Sequence, residues 1–249
     1  MPDSPLVNSD LQSALAEARQ DYIDRNPKSL ARQHEAMEAM PGGNTRTTLH
    51  NAPFPITVAR GAGCRLWDVD GHEYIDVLGE YTAGIYGHSH PVIRAAIDKA
   101  LDHGWNFAGR NENEARLAKL IVDRIPSIEL VRFTNSGTEG NVMALAGARV
   151  FAQRKGRKKA TKVMVFHGGY HGGVLYFVSG GSPVNMPYQY IVGTYNDVEG
   201  TRELLRQHAE EIFAVLLEPM QGSHGCLPGD LAFLQMVRQE TRALSLIHI

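Results

Sequence analysis

The 249-residue chain is 43% hydrophobic and 21% charged, with a formal net charge of -2 and two cysteines, values of an ordinary globular protein with room for one large domain or two small ones. This balance excludes disorder as the default and gives no reason to expect a nucleic-acid partner, since the dense basic run, Arg154 to Lys162, is short and reads as a solvated helix end and loop. Cys64 and Cys226 supply neither a disulfide framework nor a paired metal spacing, Met1 to Asp10 lacks a signal-peptide pattern, and no apolar run reaches the roughly 18 residues of a membrane span. The expectation is a protein of a reducing compartment, the cytoplasm, with no membrane partner.

In chain order, Leu11 to Tyr22 and Ser29 to Met40 are rich in good helix formers, with Asp10 and Ser29 placed as N-caps. Pro41-Gly42-Gly43-Asn44 breaks the pattern. Ile56 to Arg60 and Arg65 to Asp68 then read as short strands around Gly61-Ala62-Gly63, with Asp70-Gly71 as the next turn, which makes a small β-meander. After Gly79 the character changes. Pro91 to His103 and Asn113 to Ile125 have helical apolar spacing, and beyond Leu130 short apolar runs alternate with helical ones. The strand candidates are Val131 to Phe133, Lys162 to Phe166, Ile191 to Thr194 and Phe213 to Leu217; the helix candidates are Thr138 to Gln153, Glu199 to Glu210 and Leu231 to Ala243. Such alternation predicts an α/β fold, a mostly parallel sheet covered by helices on both faces.

Three segments that follow strands carry chemistry. Phe133-Thr134-Asn135-Ser136-Gly137-Thr138-Glu139 is a small-residue turn that opens a helix. Free N–H groups and the positive end of the helix dipole converge there, which suits a phosphate; an ordinary capping turn is the alternative that the turn alone leaves open. Phe166-His167-Gly168-Gly169-Tyr170-His171-Gly172-Gly173 offers Tyr170 to stack on a flat ring. The glycines argue against a helix that would align His167 and His171 on a metal, and no metal is expected. His88 and His90 read as capping and loop residues. Leu217-Glu218-Pro219-Met220-Gln221-Gly222 places a carboxylate where a buried strand ends, so Glu218 is either a site residue with a perturbed pKa or a solvated strand-end acid. Arg46, in a polar loop, would suit a substrate carboxylate if it faced the same crevice.

In this order and spacing the three motifs resemble the class III aminotransferases, of fold type I among the pyridoxal-phosphate (PLP) enzymes, over about Leu30 to Arg242. Pro41 to Arg46, Glu80 to His88 and Glu218 to Gly222 look most like the β-phenylalanine aminotransferases, with the glutamate-1-semialdehyde aminomutases next. The resemblance implies that Ser136, Gly137 and Thr138 cradle the cofactor's phosphate, that Tyr170 stacks on its ring with His171 beside it, and that Glu218 stands near it. It makes Arg46 the holder of a substrate or acceptor carboxylate. Gly140 departs from the family's usual alanine, at a cost of about 1 kcal/mol of helix propensity.

The resemblance also implies a transaminase that moves an amino group from a β-amino acid, aromatic by the same likeness, to 2-oxoglutarate, and that works as a homodimer. Its alternatives are an aminomutase and a non-catalytic module for phosphate ligands. By the same likeness the Schiff-base lysine and the aspartate that partners the pyridine nitrogen would follow the helix that starts near Leu231. Neither is in this chain, and no lysine present is assigned to catalysis. On this reading residues 1–78 hold the leading helices and meander and 79–243 begin the PLP-binding domain. Residues 244–249, which match one reading frame of a common sequencing adapter, are a non-native tail. The missing strands would leave a sheet edge and an apolar face open to aggregation.

Overall fold

The computed structural model describes residues 10–105, 107–178 and 181–249, with the side chain of Thr47 left undescribed. Residues 1–9 of the polar N-terminal stretch therefore lie outside the described residues. The chain divides into two compact units, Met1–Asn111 and Glu112–Ile249.

The first unit opens with helices α1 (Leu11–Arg25) and α2 (Pro27–Met37). Asp10 caps α1 as expected, its carboxylate accepting the Ser13 N–H at 3.2 Å. Ser29 is not a cap. Pro27, whose fixed φ suits a first helical position, starts α2 two residues earlier. The Ser29 hydroxyl turns inward, donating to Asp70 at 2.7 Å and accepting the Thr57 N–H at 3.2 Å. Strands β1 (Val58–Ala62), β2 (Arg65–Asp68) and β3 (Glu73–Ile75) form the antiparallel meander. Gly71, at φ +100°, lets the chain reverse between β2 and β3. Helix α3 (Pro91–Asp102) follows.

The second unit runs through α4 (Glu112–Arg124), α5 (Gly137–Arg154), β4 (Lys162–Phe166), β5 (Gln189–Gly193), α6 (Val198–Gln207) and β6 (Ile212–Val215). A two-residue hairpin, β7 (Met220–Gln221) with β8 (Leu227–Pro228), precedes α7 (Leu231–Ala243). The three longer strands form a parallel sheet in the order β5-β4-β6. Central β4 is apolar without alternation because both of its faces are covered. Val163 and Val165 pack with Leu145, Ala148 and Ala152 of α5; Met164 and Phe166 pack with Leu205 of α6 and Phe233, Met236 and Val237 of α7. One strand thus divides its alternate residues between two cores, and helices lie on both faces, as the β-α alternation predicted.

Val131 to Phe133, expected as a strand, joins no ladder. β-propensity alone makes no strand where no neighbouring edge supplies the hydrogen bonds, and Leu130 and Phe133 are exposed. At the other end of the unit, Leu244 and Leu246 lean on the α6–α7 core. Leu246 to Ile249 line, with residues of α5, β6 and α7, an apolar cavity of about 200 Å³.

Candidate functional site

The site in the second unit is assembled from three segments. Ser136 is extended at φ -156° and caps α5, its Oγ accepting the Glu139 N–H at 3.1 Å; the Glu139 carboxylate in turn takes the Asn135 N–H at 2.8 Å. The capping reading and the anion-binding reading are compatible here. A hydroxyl that accepts with a lone pair keeps its proton to donate, and the first N–H groups of α5 have no intrahelical acceptor. No atom lies within 4 Å of where a Cβ on Gly137 would stand, so the backbone there faces open space. Thr138 repeats the pattern of Ser136, its Oγ1 accepting the Gly173 N–H at 3.2 Å.

That last bond joins the turn to the loop after β4. The loop is closed by its own backbone: His171 N–H donates to Leu175 O, Leu175 N–H to Gly172 O, and Phe177 N–H to Gly169 O. Gly172 sits at φ +114° with its Cα against Thr138; a Cβ would stand 2.2 Å from Thr138 Oγ1 and 2.8 Å from its Cα. Asn141, one turn further along α5, donates from Nδ2 to His171 O at 3.0 Å. The loop presents Tyr170, 40% exposed, with Tyr176 edge-on at 5.8 Å between ring centroids. His171 is 6% exposed; burial pushes its imidazole down to about 4, and its Nε2 has no hydrogen-bond partner.

Glu218 follows β6. Tyr195 Oη donates to its backbone oxygen at 2.7 Å and holds the strand end in place. Burial raises the carboxyl's pKa, against the opposing pull of the Tyr170 and Gly222 N–H groups, and Oε2 is buried without a partner. The Tyr170 loop and Glu218 are therefore neighbours, both beyond the carboxyl ends of adjacent parallel strands, where ligands bind in open α/β sheets. Gln221, fully buried in β7, donates to His167 O at 2.9 Å and leaves Oε1 unpartnered.

Arg46 lies in the first unit, exposed, 3.6 Å from Glu80. His167 is exposed and faces the His224 ring, while His88 pairs with Asp76 at 2.8 Å and His90 precedes α3. Among the described residues, no group of three or more His, Cys, Asp or Glu side chains is placed to hold a metal ion. A methyl on Gly140 would stand 3.3 Å from Thr134 Oγ1. Asn141, Gly172 and Gln221 were not among the expected site residues. Gly172 and Gln221 stood inside the motifs already singled out, and the signal for Asn141 is that position i+3 from Thr138 lies on the same helix face.

Residues 47–248 match the family model described as Aminotransferase class-III. The chain belongs to the class III aminotransferases. Over 235 residues it is 49% identical to the β-phenylalanine transaminase of Variovorax paradoxus, covering 94% of this chain and 52% of that protein. A solved structure of β-phenylalanine aminotransferase from that organism matches 96% of this chain and 54% of its own at 47% identity, with a TM-score of 0.89. A structure described as a transaminase with PLP bound matches 89% of this chain and 54% of its own, at 35% identity and a TM-score of 0.79. A glutamate-1-semialdehyde 2,1-aminomutase of Geobacillus kaustophilus is 34% identical over 232 residues, covering 86% of this chain and 53% of that protein. This class III chain spans about half the length of the curated relatives it matches. Among its described residues no helix is long and apolar enough to cross a membrane.

Proposed function

We propose that the chain supplies the phosphate grip and ring platform for pyridoxal phosphate in a transaminase of the class III family. One observation carries this reading: the Ser136 and Thr138 hydroxyls each accept a backbone N–H and keep a proton to donate, at a helix N-terminus tied to the Tyr170 loop. The site fits the group. Gly137 faces open space, Tyr170 is exposed beside a loop of fixed shape, and His171 Nε2 and Glu218 Oε2 are buried polar atoms that lack partners. Ser136, Gly137 and Thr138 would hold the phosphate, Tyr170 would stack on the ring with His171 beside it, and Glu218 would stand near it. When bound, the cofactor supplies an electron-accepting ring that carries the amino group between donor and acceptor.

The rest of the reading follows the relatives. The amino donor is a β-amino acid, aromatic as the name β-phenylalanine transaminase states for the Variovorax protein, the acceptor is 2-oxoglutarate, and Arg46 holds a carboxylate of one of them. The working form is a cytoplasmic homodimer, and a division near residue 79 separates the leading helices and meander from the cofactor-binding domain. The aminomutase relative supports the second reading, a reaction with no external acceptor.

Titration of the purified chain with pyridoxal phosphate, followed by tyrosine fluorescence, tests the cofactor reading: saturable binding that inorganic phosphate competes away, weakened by Ser136→Ala, is expected. Absence of saturable binding would refute it. Borohydride reduction of the same mixture is expected to leave no lysine-linked adduct at a unique site. For the protein containing the remaining family length, glutamate formation from an aromatic β-amino acid and 2-oxoglutarate distinguishes the transaminase from the mutase.

A further inference from the structure

We propose that Asn141 is a positioning residue that makes the phosphate turn and the Tyr170 loop one preorganised unit. The inference rests on the pyridoxal-phosphate reading above. Two side chains on one face of α5 reach the loop: Thr138 through the Gly173 N–H at 3.2 Å, and Asn141 through the His171 carbonyl at 3.0 Å. Between these anchors lies Gly172, packed so closely on Thr138 that a single Cβ would not fit.

The two anchors do different work. The Gly173 bond occupies a lone pair of the Thr138 hydroxyl and leaves its proton to donate, and so belongs to the phosphate grip. The Asn141 bond does not touch the turn. It fixes the peptide carbonyl of the residue that follows Tyr170, and with it the height of the Tyr170 ring relative to the phosphate. A ligand with both a phosphate and a flat ring meets the two at a set separation, and a platform already in place spares the ordering cost of binding.

Loss of Asn141 removes one anchor without unfolding the loop, because Thr138 still holds the Gly173 N–H, the Glu218 carboxylate still takes the Tyr170 N–H, and the bonds that close the loop, His171 to Leu175, Leu175 to Gly172 and Phe177 to Gly169, are all within its own backbone. The inference therefore separates two ligands. Inorganic phosphate uses the turn alone, whereas pyridoxal phosphate uses turn and platform together.

The test compares wild type with Asn141→Leu, which keeps the shape and removes the donor, and with Asn141→Ala. Dissociation constants for pyridoxal phosphate and for inorganic phosphate are measured, with the induced circular dichroism of the bound pyridine chromophore at saturation. Removing one such hydrogen bond is expected to weaken pyridoxal phosphate binding about tenfold, to change phosphate binding by less than about twofold, and to reduce the induced dichroism. Pyridoxal phosphate affinity and dichroism equal to wild type would overturn the inference. So would an equal loss for both ligands, or unfolding of both variants, since each marks a general structural role. Failure of the wild type to bind pyridoxal phosphate overturns the cofactor reading itself, and is seen before any variant is made.

Discussion

At the scale of single residues, Gly172 and His171 carry opposite kinds of constraint. Gly172 combines a left-handed φ of +114° with a missing side chain against the backbone of Thr138, so a substitution meets both backbone strain and a clash with rigid atoms. Gly172→Ala is expected to destabilise the second unit by roughly 2–4 kcal/mol, read by urea unfolding, and to weaken phosphate and pyridoxal phosphate alike. His171 acts through its proton. Its imidazole, held near 4 by burial, stays neutral where the unfolded chain's histidine, at its ordinary 6.5, has taken up a proton. Above pH 6.5 both states are neutral and the residue adds no pH dependence. As pH falls from 6.5 to about 4, the unfolded state binds more protons and stability is lost through that window. Between pH 7 and 4.5 the cofactor-free wild type is expected to lose about 2 kcal/mol more than His171→Gln. Parallel stability curves for the two proteins would show that His171 titrates normally.

Elements show which parts of the sequence were legible. β4 and α7 fall where the residues place them, since the apolar run Val163 to Phe166 is too short for a helix and the periodic stretch Leu231 to Ala243 is long enough for one. Val131 to Phe133 has the composition of a strand and none of the pairing, and pairing depends on another segment of the chain rather than on its own letters. The β7–β8 hairpin carries too few residues to show a period. The candidate site divides in the same way. Its tyrosine and its acid stood in short motifs after strands and its turn in one that opens a helix, whereas the burial that leaves Gln221 Oε1 unpartnered, beside Gly168, comes from a segment distant in sequence. The β2–β3 turn falls at Asp70-Gly71 as the residues indicate, whereas the bonds that hold it are a product of folding. Asp68, its side chain wholly buried, accepts from Tyr74 Oη at 2.7 Å, from His72 Nδ1 at 2.9 Å and from the N–H groups of Gly71 and His72. Burial alone would raise its pKa; these donors outweigh it and hold the carboxyl at about 2. Asp68→Asn turns part of an acceptor into a donor among donors and is expected to cost roughly 1–3 kcal/mol at pH 7. Because a depressed carboxylate gives stability above its unfolded pKa, the deficit should shrink as pH falls from 3.8 toward about 2, which urea titrations followed by tryptophan fluorescence would register.

Over the whole molecule, the two units manage apolar surface differently. In the second unit the free side of β6 borders the apolar cavity, and Leu246 to Ile249 line that cavity and partly shield it. Among the described residues of the first unit, residues 77–105 carry a run of exposed apolar side chains. Val77 is 94% exposed, Ile85 75% and Trp105 74%, and Tyr86, Val92 and Ile97 are exposed among them. A monomer seldom shows so many large apolar side chains in one stretch, and a self-complementary contact in a two-fold dimer would bury them in pairs. The proposed homodimer is therefore expected to use this stretch rather than the β6 edge. Sedimentation velocity should show a dimer for the wild type and a monomer for the double variant Ile85→Glu, Trp105→Glu, because two carboxylates per copy would be trapped at the contact without partners. Deleting residues 246–249 should leave the dimer in place while increasing the binding of an apolar dye. A wild type that sediments as a monomer, or a dimer lost on that deletion and kept in the double variant, would move the contact away from residues 77–105.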